Sequence, residues 1–391
     1  SYGGCGIPYY VSGDVADEND LRKTSFHMLR DEFFFEKAKG VTTMTSTRVL
    51  SIDRTNKSVL VEKLKTGEQE EISYDKLLLA TGSEPIVIPI PGVELDGVFT
   101  ISDLHKAIAI KERIAKGLVG KAVVIGGGAI GIEMAEALKD LWGVETSIVE
   151  FQNQLLPNLV DWEMSEILVR HLRDNDVEVF LSEGATEIIS DGDGKACGVK
   201  TNNRTLDADL IILATGVKPR SSLASATGLH VSATGAVVVN ERMQTSDPDI
   251  YAAGDCVEIT HLVSGQKFFA PLGSLANKQG RVAGDNIAGV PSTFKGGVGS
   301  FIMKAFDMSI GSVGLTFHGA KNSGYDADIS LTSPIDRAHF FPTQAIACFL
   351  LIFDRRTRRV LGMQGVGPMG DGILARINGA APLLGDRPSV A

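Results

Sequence analysis

Cys5 is the residue with the most chemistry to offer. It stands in Ser1-Tyr2-Gly3-Gly4-Cys5-Gly6-Ile7-Pro8-Tyr9-Tyr10, flanked by glycine and followed by proline and two tyrosines, which predicts a thiol at the start of a helix. Free N–H groups and the dipole at a helix N-terminus stabilise a thiolate. No second cysteine lies within a turn or two, so a dithiol loop is excluded and Cys5 has to cycle alone, against a mixed disulfide, a persulfide or a sulfenic acid. The other three cysteines, Cys197, Cys256 and Cys348, sit in or beside apolar strand-like runs and read as small packing residues. Four cysteines at these spacings make neither a disulfide framework nor a metal knuckle, and His318 and His339 have no second ligand at metal spacing, so no metal is expected. Tyr9 and Tyr10 read as packing residues, and Arg22 and Lys23 as a solvated face rather than a phosphate clamp.

The second chemical feature is a glycine turn. Lys121-Ala-Val-Val-Ile-Gly126-Gly-Gly128-Ala-Ile-Gly131 runs from an apolar β-rich stretch through G-x-G-x-x-G into a helical pattern, the strand, turn and helix of a dinucleotide-binding unit. Gly126 permits the tight turn, Gly128 lets a pyrophosphate approach the backbone, and Gly131 lets helix and strand pack closely. The helix N-terminus supplies N–H groups to the phosphates. The next strand, Glu145-Thr-Ser-Ile-Val-Glu150, ends in a carboxylate 19 positions after Gly131, placed to accept ribose hydroxyls and to favour NADH over NADPH.

These residues need sheets to hold them, and the chain repeats one strand-and-turn. Leu77-Leu-Leu-Ala-Thr81-Gly82-Ser-Glu-Pro85 returns as Ile211-Ile-Leu-Ala-Thr215-Gly216-Val-Lys-Pro219, which implies two related domains. The second copy closes the domain that Gly126 opens 88 residues earlier; the same offset from Ala80 falls before Ser1, so the phosphate loop of the first domain is expected upstream of this sequence. A third strand, Ile250-Tyr-Ala-Ala-Gly254-Asp255, puts a carboxylate at a sheet's C-terminal edge, where it can accept a ribityl hydroxyl. Residues 271–288 then read as a helix whose positive N-terminus can face developing negative charge. From about Gly296 the pattern becomes alternating strands (309–315, 346–353, 359–365), suited to an α+β closing domain. Lys218 reads as a surface turn residue.

Composition limits the rest. A formal charge of −10 offers no positive field to nucleic acid or an anionic membrane, so neither is expected as a partner. The longest apolar run, 345–353, is far short of the roughly 20 residues that a spanning helix needs. No signal peptide precedes Ser1, and the expected location is the cytoplasm. Glycine is enriched, 43 residues in 391, as tight turns and close backbone approach to ligands require.

Together these motifs resemble the pyridine nucleotide-disulfide oxidoreductase superfamily, and within it the single-cysteine branch of coenzyme A-disulfide reductases, persulfide reductases, and NADH oxidases and peroxidases. The resemblance covers nearly the whole chain. It rests on residues 1–10, the paired Ala-Thr-Gly turns, Gly126–Gly131 and Ile250–Asp255. It implies an α/β fold of two nested Rossmann-like domains and a C-terminal α+β dimerisation domain: FAD domain 1–104, NADH domain 105–226, FAD return segment 227–295, and dimerisation domain 296–391 of a homodimer. It implies FAD held by Thr81, Gly82, Gly254 and Asp255, NADH held by Gly126, Gly128, Gly131 and Glu150, and Gly216 as a further cofactor-binding residue. Cys5 is then the redox cysteine, reducing a small thiol-derived substrate, a disulfide or persulfide of the coenzyme A type. Phe340-Phe341-Pro342 stands where the family carries Tyr-Tyr-Pro, which removes a phenol. Two alternatives stay open: an NADH oxidase or peroxidase cycling through the sulfenic acid, and a non-catalytic NADH-binding module.

Overall fold

The computed structural model describes residues 2–386 and 388–390. A 3-10 turn at Gly4–Gly6 leads into α1 (Ile7–Ser12), and α2 (Glu32–Lys39) follows a second 3-10 turn. An antiparallel meander of β1 (Thr47–Asp53), β2 (Ser58–Lys63) and β3 (Gln69–Ser73) comes next. Then β4 (Leu77–Leu79) and β5 (Ser83–Pro85) flank the first Ala-Thr-Gly turn, and β6 (Val98–Thr100) enters the central domain.

That domain contains α3 (Leu104–Ala115), β7 (Lys121–Ile125), α4 (Ala129–Lys139), β8 (Glu145–Val149), α5 (Trp162–Asp174) and β9 (Val177–Phe180). A second antiparallel meander, β10 (Ala185–Ser190), β11 (Ala196–Thr201) and β12 (Thr205–Asp207), precedes β13 (Leu210–Leu213), β14 (Val217–Pro219) and α6 (Ser222–Ala226). The parallel sheet has the order β6-β13-β7-β8-β9. The central strands β7 and β13 are apolar because both faces are covered: Ala122 to Ile125 and Leu210 to Leu213 are all buried.

The chain then returns. β15 (Ile250–Ala252) pairs parallel to β4, β16 (Glu258–Thr260) and β17 (Lys267–Phe269) form a hairpin, and α7 (Gly273–Ile287) follows as the sequence predicts. The closing domain is an antiparallel sheet, ordered β18-β19-β22-β21-β20, of β18 (Phe301–Ala305), β19 (Met308–Gly314), β20 (Ala327–Thr332), β21 (Cys348–Asp354) and β22 (Val360–Pro368), with α8 (Phe317–Asn322) and α9 (Asp371–Gly385). Three of these strands coincide with the alternating runs read from the sequence. Among the described residues no helix is long and apolar enough to cross a membrane.

Two junctions position the functional residues. Helix α1 buries Ile7, Tyr10 and Val11 in the same core as Ile110 and Ile114 of α3 and Met134 and Leu138 of α4. Trp142 donates its indole N–H to the Val11 carbonyl (2.8 Å), while Lys111 donates to the carbonyls of Val15 and Ala16 and lies 4.0 Å over the Tyr10 ring. The short helix after Cys5 is thus mounted on the central domain. The second junction joins that domain to the closing one. Asp161 and Gln364, both buried, bond reciprocally: the Asp161 N–H donates to the Gln364 carbonyl oxygen (2.7 Å), and the Gln364 amide donates to the Asp161 carboxylate (2.6 Å). The Phe317 N–H also donates to that carboxylate. Burial pushes the Asp161 carboxyl up, partly offset by these two donors. Gln364→Leu strips one donor from a buried acid and should lower stability by about 1–3 kcal/mol. Thermal unfolding at neutral pH measures this, and an unchanged midpoint would show that the pair holds nothing.

Candidate functional site

The glycine turn between β7 and α4 has the geometry its sequence demands. Gly126 has φ +113°, and a Cβ there would lie 2.4 Å from the Ala214 carbonyl oxygen. A Cβ on Gly131 would lie 2.0 Å from the Gly126 carbonyl oxygen, so α4 approaches the strands as only glycine permits. Gly128 is different: nothing stands within 4 Å of where its Cβ would be, leaving open space over the backbone as a pyrophosphate requires. Glu150, at the end of β8, is buried and already accepts the Gly127 N–H on one oxygen (2.6 Å) and the Gln152 N–H on the other (2.7 Å). The carboxylate therefore braces the turn, and only its remaining lone pairs are available to ribose hydroxyls.

The two Ala-Thr-Gly repeats meet. β5 and β14 pair antiparallel, Ser83 opposite Pro219 and Pro85 opposite Val217. The bonds are reciprocal: Thr81 Oγ1 donates to the Arg220 carbonyl (2.5 Å) and Thr215 Oγ1 to the Ile86 carbonyl (2.6 Å). Likewise the Arg220 N–H donates to Gly82 O and the Ile86 N–H to Gly216 O, each at 2.9 Å. Gly82 (φ +68°) and Gly216 (φ +97°) supply the left-handed turns that begin the two crossing strands. Lys218, expected to be a surface turn residue, is exposed but lies in β14 and pairs with Glu84 across this ribbon (3.1 Å), and Arg220 approaches the same carboxylate (3.5 Å). Lys218 and Arg220 hold the Glu84 carboxyl below its usual range.

Beside the ribbon, at the C-terminal ends of β6 and β13, lies a cavity of about 390 Å³ lined by Glu84, Phe99, Ser102, Asp103, Lys106 and Arg220 among others. The Tyr2 hydroxyl donates to the Ser102 carbonyl (3.1 Å), which brings the segment carrying Cys5 to the rim. Cys5 itself is an exposed, free thiol in the 3-10 turn before α1. Asp255 joins the same ribbon from the other side, accepting the Ser83 hydroxyl (3.2 Å), and burial pushes its carboxyl up. Gly254 (φ +86°) is held by Gln279 of α7, whose buried side-chain oxygen accepts its N–H (2.7 Å). No side chain caps the start of α7, whose first turn approaches the residue before Asp255: a Cβ on Gly254 would lie 3.6 Å from the Ala276 Cβ.

The residues fit the two groups expected. Gly128 leaves room for a dinucleotide pyrophosphate; Asp255 has spare lone pairs for a hydroxylated chain at a sheet edge next to an uncapped helix end. Of the other cysteines, Cys256 is buried as expected, its thiol against the carbonyls of Leu79 and Ala253. Cys197 departs from expectation: it is exposed, because its strand, β11, alternates and this position faces out. Cys348 is half-buried beside Ser333. Sequence reasoning passed over Glu133, Glu136 and Lys304, three charged residues that converge where α1, α4 and β18 pack. Two carboxylates inside a helix otherwise buried almost all round were the available signal.

Two nucleotide-type sheet edges sharing one crossing ribbon, with a free thiol on the adjoining segment, define an oxidoreductase that works with a dinucleotide. The chain belongs to the pyridine nucleotide-disulphide oxidoreductase family, whose model matches residues 1–271; residues 301–384 match that family's dimerisation domain. It is 36% identical to an NADH oxidase of Methanocaldococcus jannaschii, over 97% of this chain and 81% of the relative. It is also 36% identical to an NAD(P)H coenzyme A polysulfide/persulfide reductase of Pyrococcus horikoshii, over 98% of this chain and 82% of the relative. The solved structure of an NAD-dependent persulfide reductase from A. fulgidus superposes with a TM-score of 0.95 at 39% identity, covering all of this chain and 71% of that one.

Two glycine substitutions should separate folding from binding. Gly131→Ala drives a methyl into a backbone oxygen and should destabilise the protein by about 3 kcal/mol. Gly128→Ala should leave thermal stability intact and weaken NADH binding more than about tenfold, a loss above about 1.4 kcal/mol. Calorimetric titration with NADH reads the second; unaltered affinity would remove the pyrophosphate from this turn.

Proposed function

We propose that the protein is a homodimeric FAD-dependent oxidoreductase that uses NADH to reduce a low-molecular-weight disulfide or persulfide of the coenzyme A type through Cys5. The observation that carries this reading is the free, exposed Cys5 thiol on a segment tied to the cavity rim through Tyr2. Relatives named for coenzyme A persulfide reduction and NAD-dependent persulfide reduction support the substrate class. In this reading the first nucleotide domain takes residues 1–104 and 227–295, the second takes 105–226, and 296–391 pair with a second copy. β6 and α1 belong to the first by sequence but pack on the second.

The roles follow from the side chains. Gly126, Gly128 and Gly131 shape the turn that receives the NADH pyrophosphate, Glu150 braces it while offering lone pairs to ribose, and Gly216 leads the second domain into the ribbon. Thr81, Gly82, Gly254 and Asp255 hold FAD, Asp255 by its ribityl hydroxyls. Bound FAD supplies two-electron transfer between the nicotinamide and sulfur. As a thiolate, Cys5 attacks one sulfur of the substrate disulfide; a new S–S bond to Cys5 forms as the old one breaks, and the other half leaves as a thiolate. The short helix after Cys5 keeps the sulfur fixed while this happens, since α1 is clamped by Trp142 and Lys111.

The same residues support the oxidase reading, which the M. jannaschii relative favours by its name, with Cys5 passing through a sulfenic acid. Cys5→Ser should lower NADH-dependent reduction of coenzyme A disulfide by at least about a hundredfold, while anaerobic NADH still bleaches a yellow protein. Undiminished turnover would reject the thiol as carrier, oxygen consumption in place of disulfide reduction would select the oxidase, and a colourless protein would leave only a nucleotide-binding module.

A further inference from the structure

Phe151, the residue after Glu150, is 76% exposed, whereas Phe99 and Phe180 of the same domain are half-buried. Its ring is bare, but its backbone is not free. The Glu150 N–H donates to the Phe180 carbonyl (2.9 Å), the Glu183 N–H to the Glu150 carbonyl (2.9 Å) and the Ser182 N–H to the Gln152 carbonyl (2.7 Å), while the Glu150 carboxylate holds the Gln152 N–H. The chain is thus pinned on both sides of Phe151. The ring rests against Gly184: a Cβ there would lie 3.2 Å from Phe151 Cδ2 and 3.8 Å from Cε2, and would meet nothing else within 4 Å. Gly184 does not adopt the left-handed conformation, so the ring, not the backbone, is what a side chain at 184 would disturb. Asn202 fixes Gly184 in turn, its side-chain oxygen accepting the Gly184 N–H (2.9 Å) and its own N–H donating to the Gly184 carbonyl (3.1 Å). The nearby Phe180 ring is already covered, with the Arg204 guanidinium 4.2 Å over it. Phe151 offers what Phe180 does not, an aromatic surface supported along one edge and otherwise open to solvent.

Position decides what can stack on it. In a dinucleotide-binding unit the pyrophosphate lies on the glycine turn, and the acid at the end of the next strand takes the adenosine ribose. The base is bonded directly to that ribose. The strands run in the order β7-β8-β9, so a ligand that starts over the turn after β7 and reaches Glu150 at the end of β8 next meets the β9 side, where Gly184 supports the Phe151 ring. We propose that Phe151 is the adenine platform of the NADH site, and that Gly184 is the positioning residue that lets its ring rest on the loop after β9. Stacking uses the π face of a base and reads none of its hydrogen-bonding edge. The platform therefore grips the adenosine half of the cofactor and tolerates a change of purine. This inference rests on the reading of the Gly126–Gly131 turn as the NADH phosphate site.

ADP-ribose is the probe, because it carries the adenosine half and no hydride, and calorimetric titration of the intact protein reads its affinity. Phe151→Ala should weaken ADP-ribose and NADH alike by about tenfold. Phe151→Tyr keeps the ring face and should bind both as the parent does. Gly184→Ala pushes on the ring and should weaken ADP-ribose by a smaller factor. Exchanging adenine for hypoxanthine in the dinucleotide should change the parent's affinity by less than about threefold. Thermal midpoints of both Phe151 variants should match the parent, since the side chain is exposed. Parent-like ADP-ribose affinity in Phe151→Ala, an equal loss in Phe151→Tyr, or strong rejection of hypoxanthine overturns the inference. Should Gly128→Ala weaken ADP-ribose while Phe151→Ala does not, the platform alone falls; should neither weaken it, the phosphate-turn reading falls as well.

Discussion

A helix can lie this close to a strand only where no side chain intervenes, and the absence of a Cβ at Gly131 is the constraint on which the rest of the molecule depends. With the Gly126 carbonyl oxygen occupying that space, α4 is pressed onto the sheet beside β7 and β13. Everything functional then hangs on α4. Its first turn presents the open backbone at Gly128, its flank carries Glu133 and Glu136, and its side receives α1, the helix that follows the thiol. Glu150 strengthens the arrangement from below by accepting the Gly127 N–H, so the strand end and the turn are one braced unit.

The ribbon of β5 and β14 is the other organising element. Each Ala-Thr-Gly turn ends a strand of its own sheet and then crosses to bond with its counterpart, and the equivalent hydrogen bonds run both ways. A relation of this kind means that the two nucleotide domains share a local pseudo-twofold. The Glu84 pairs with Lys218 and Arg220 lie on the exposed face of that ribbon, where screening leaves them little energy, so the backbone bonds hold the crossing.

Much of this was legible in the sequence. The strand–turn–helix around Gly126 was, because each glycine answers a separate steric demand and leaves a fixed spacing. The closing sheet was legible from its alternation. The pairing of the two repeats with each other was not: a repeat announces two similar strand ends but says nothing about their meeting, which depends on how two sheets are set side by side. Glu133 and Glu136 were missed for a related reason. On an isolated α4 they would be ordinary polar positions; Glu136 becomes buried, and Glu133 half-buried, only when α1 and β18 dock from distant parts of the chain. Cys197 was misjudged because an apolar neighbourhood in sequence does not say which face of a half-covered strand looks inward.

The mounting of α1 has a mechanical corollary. Its anchors, Trp142 in the turn after α4 and Lys111 of α3, belong to the central domain, whereas Asp255 belongs to the β4–β15 edge across the ribbon. Any swivel about β5 and β14 carries the sulfur along with Gly126 as a single passenger and changes its separation from Asp255. The spacing between thiol and phosphate turn is thus set within one packed core, whereas the spacing between thiol and the opposite edge is set through the ribbon.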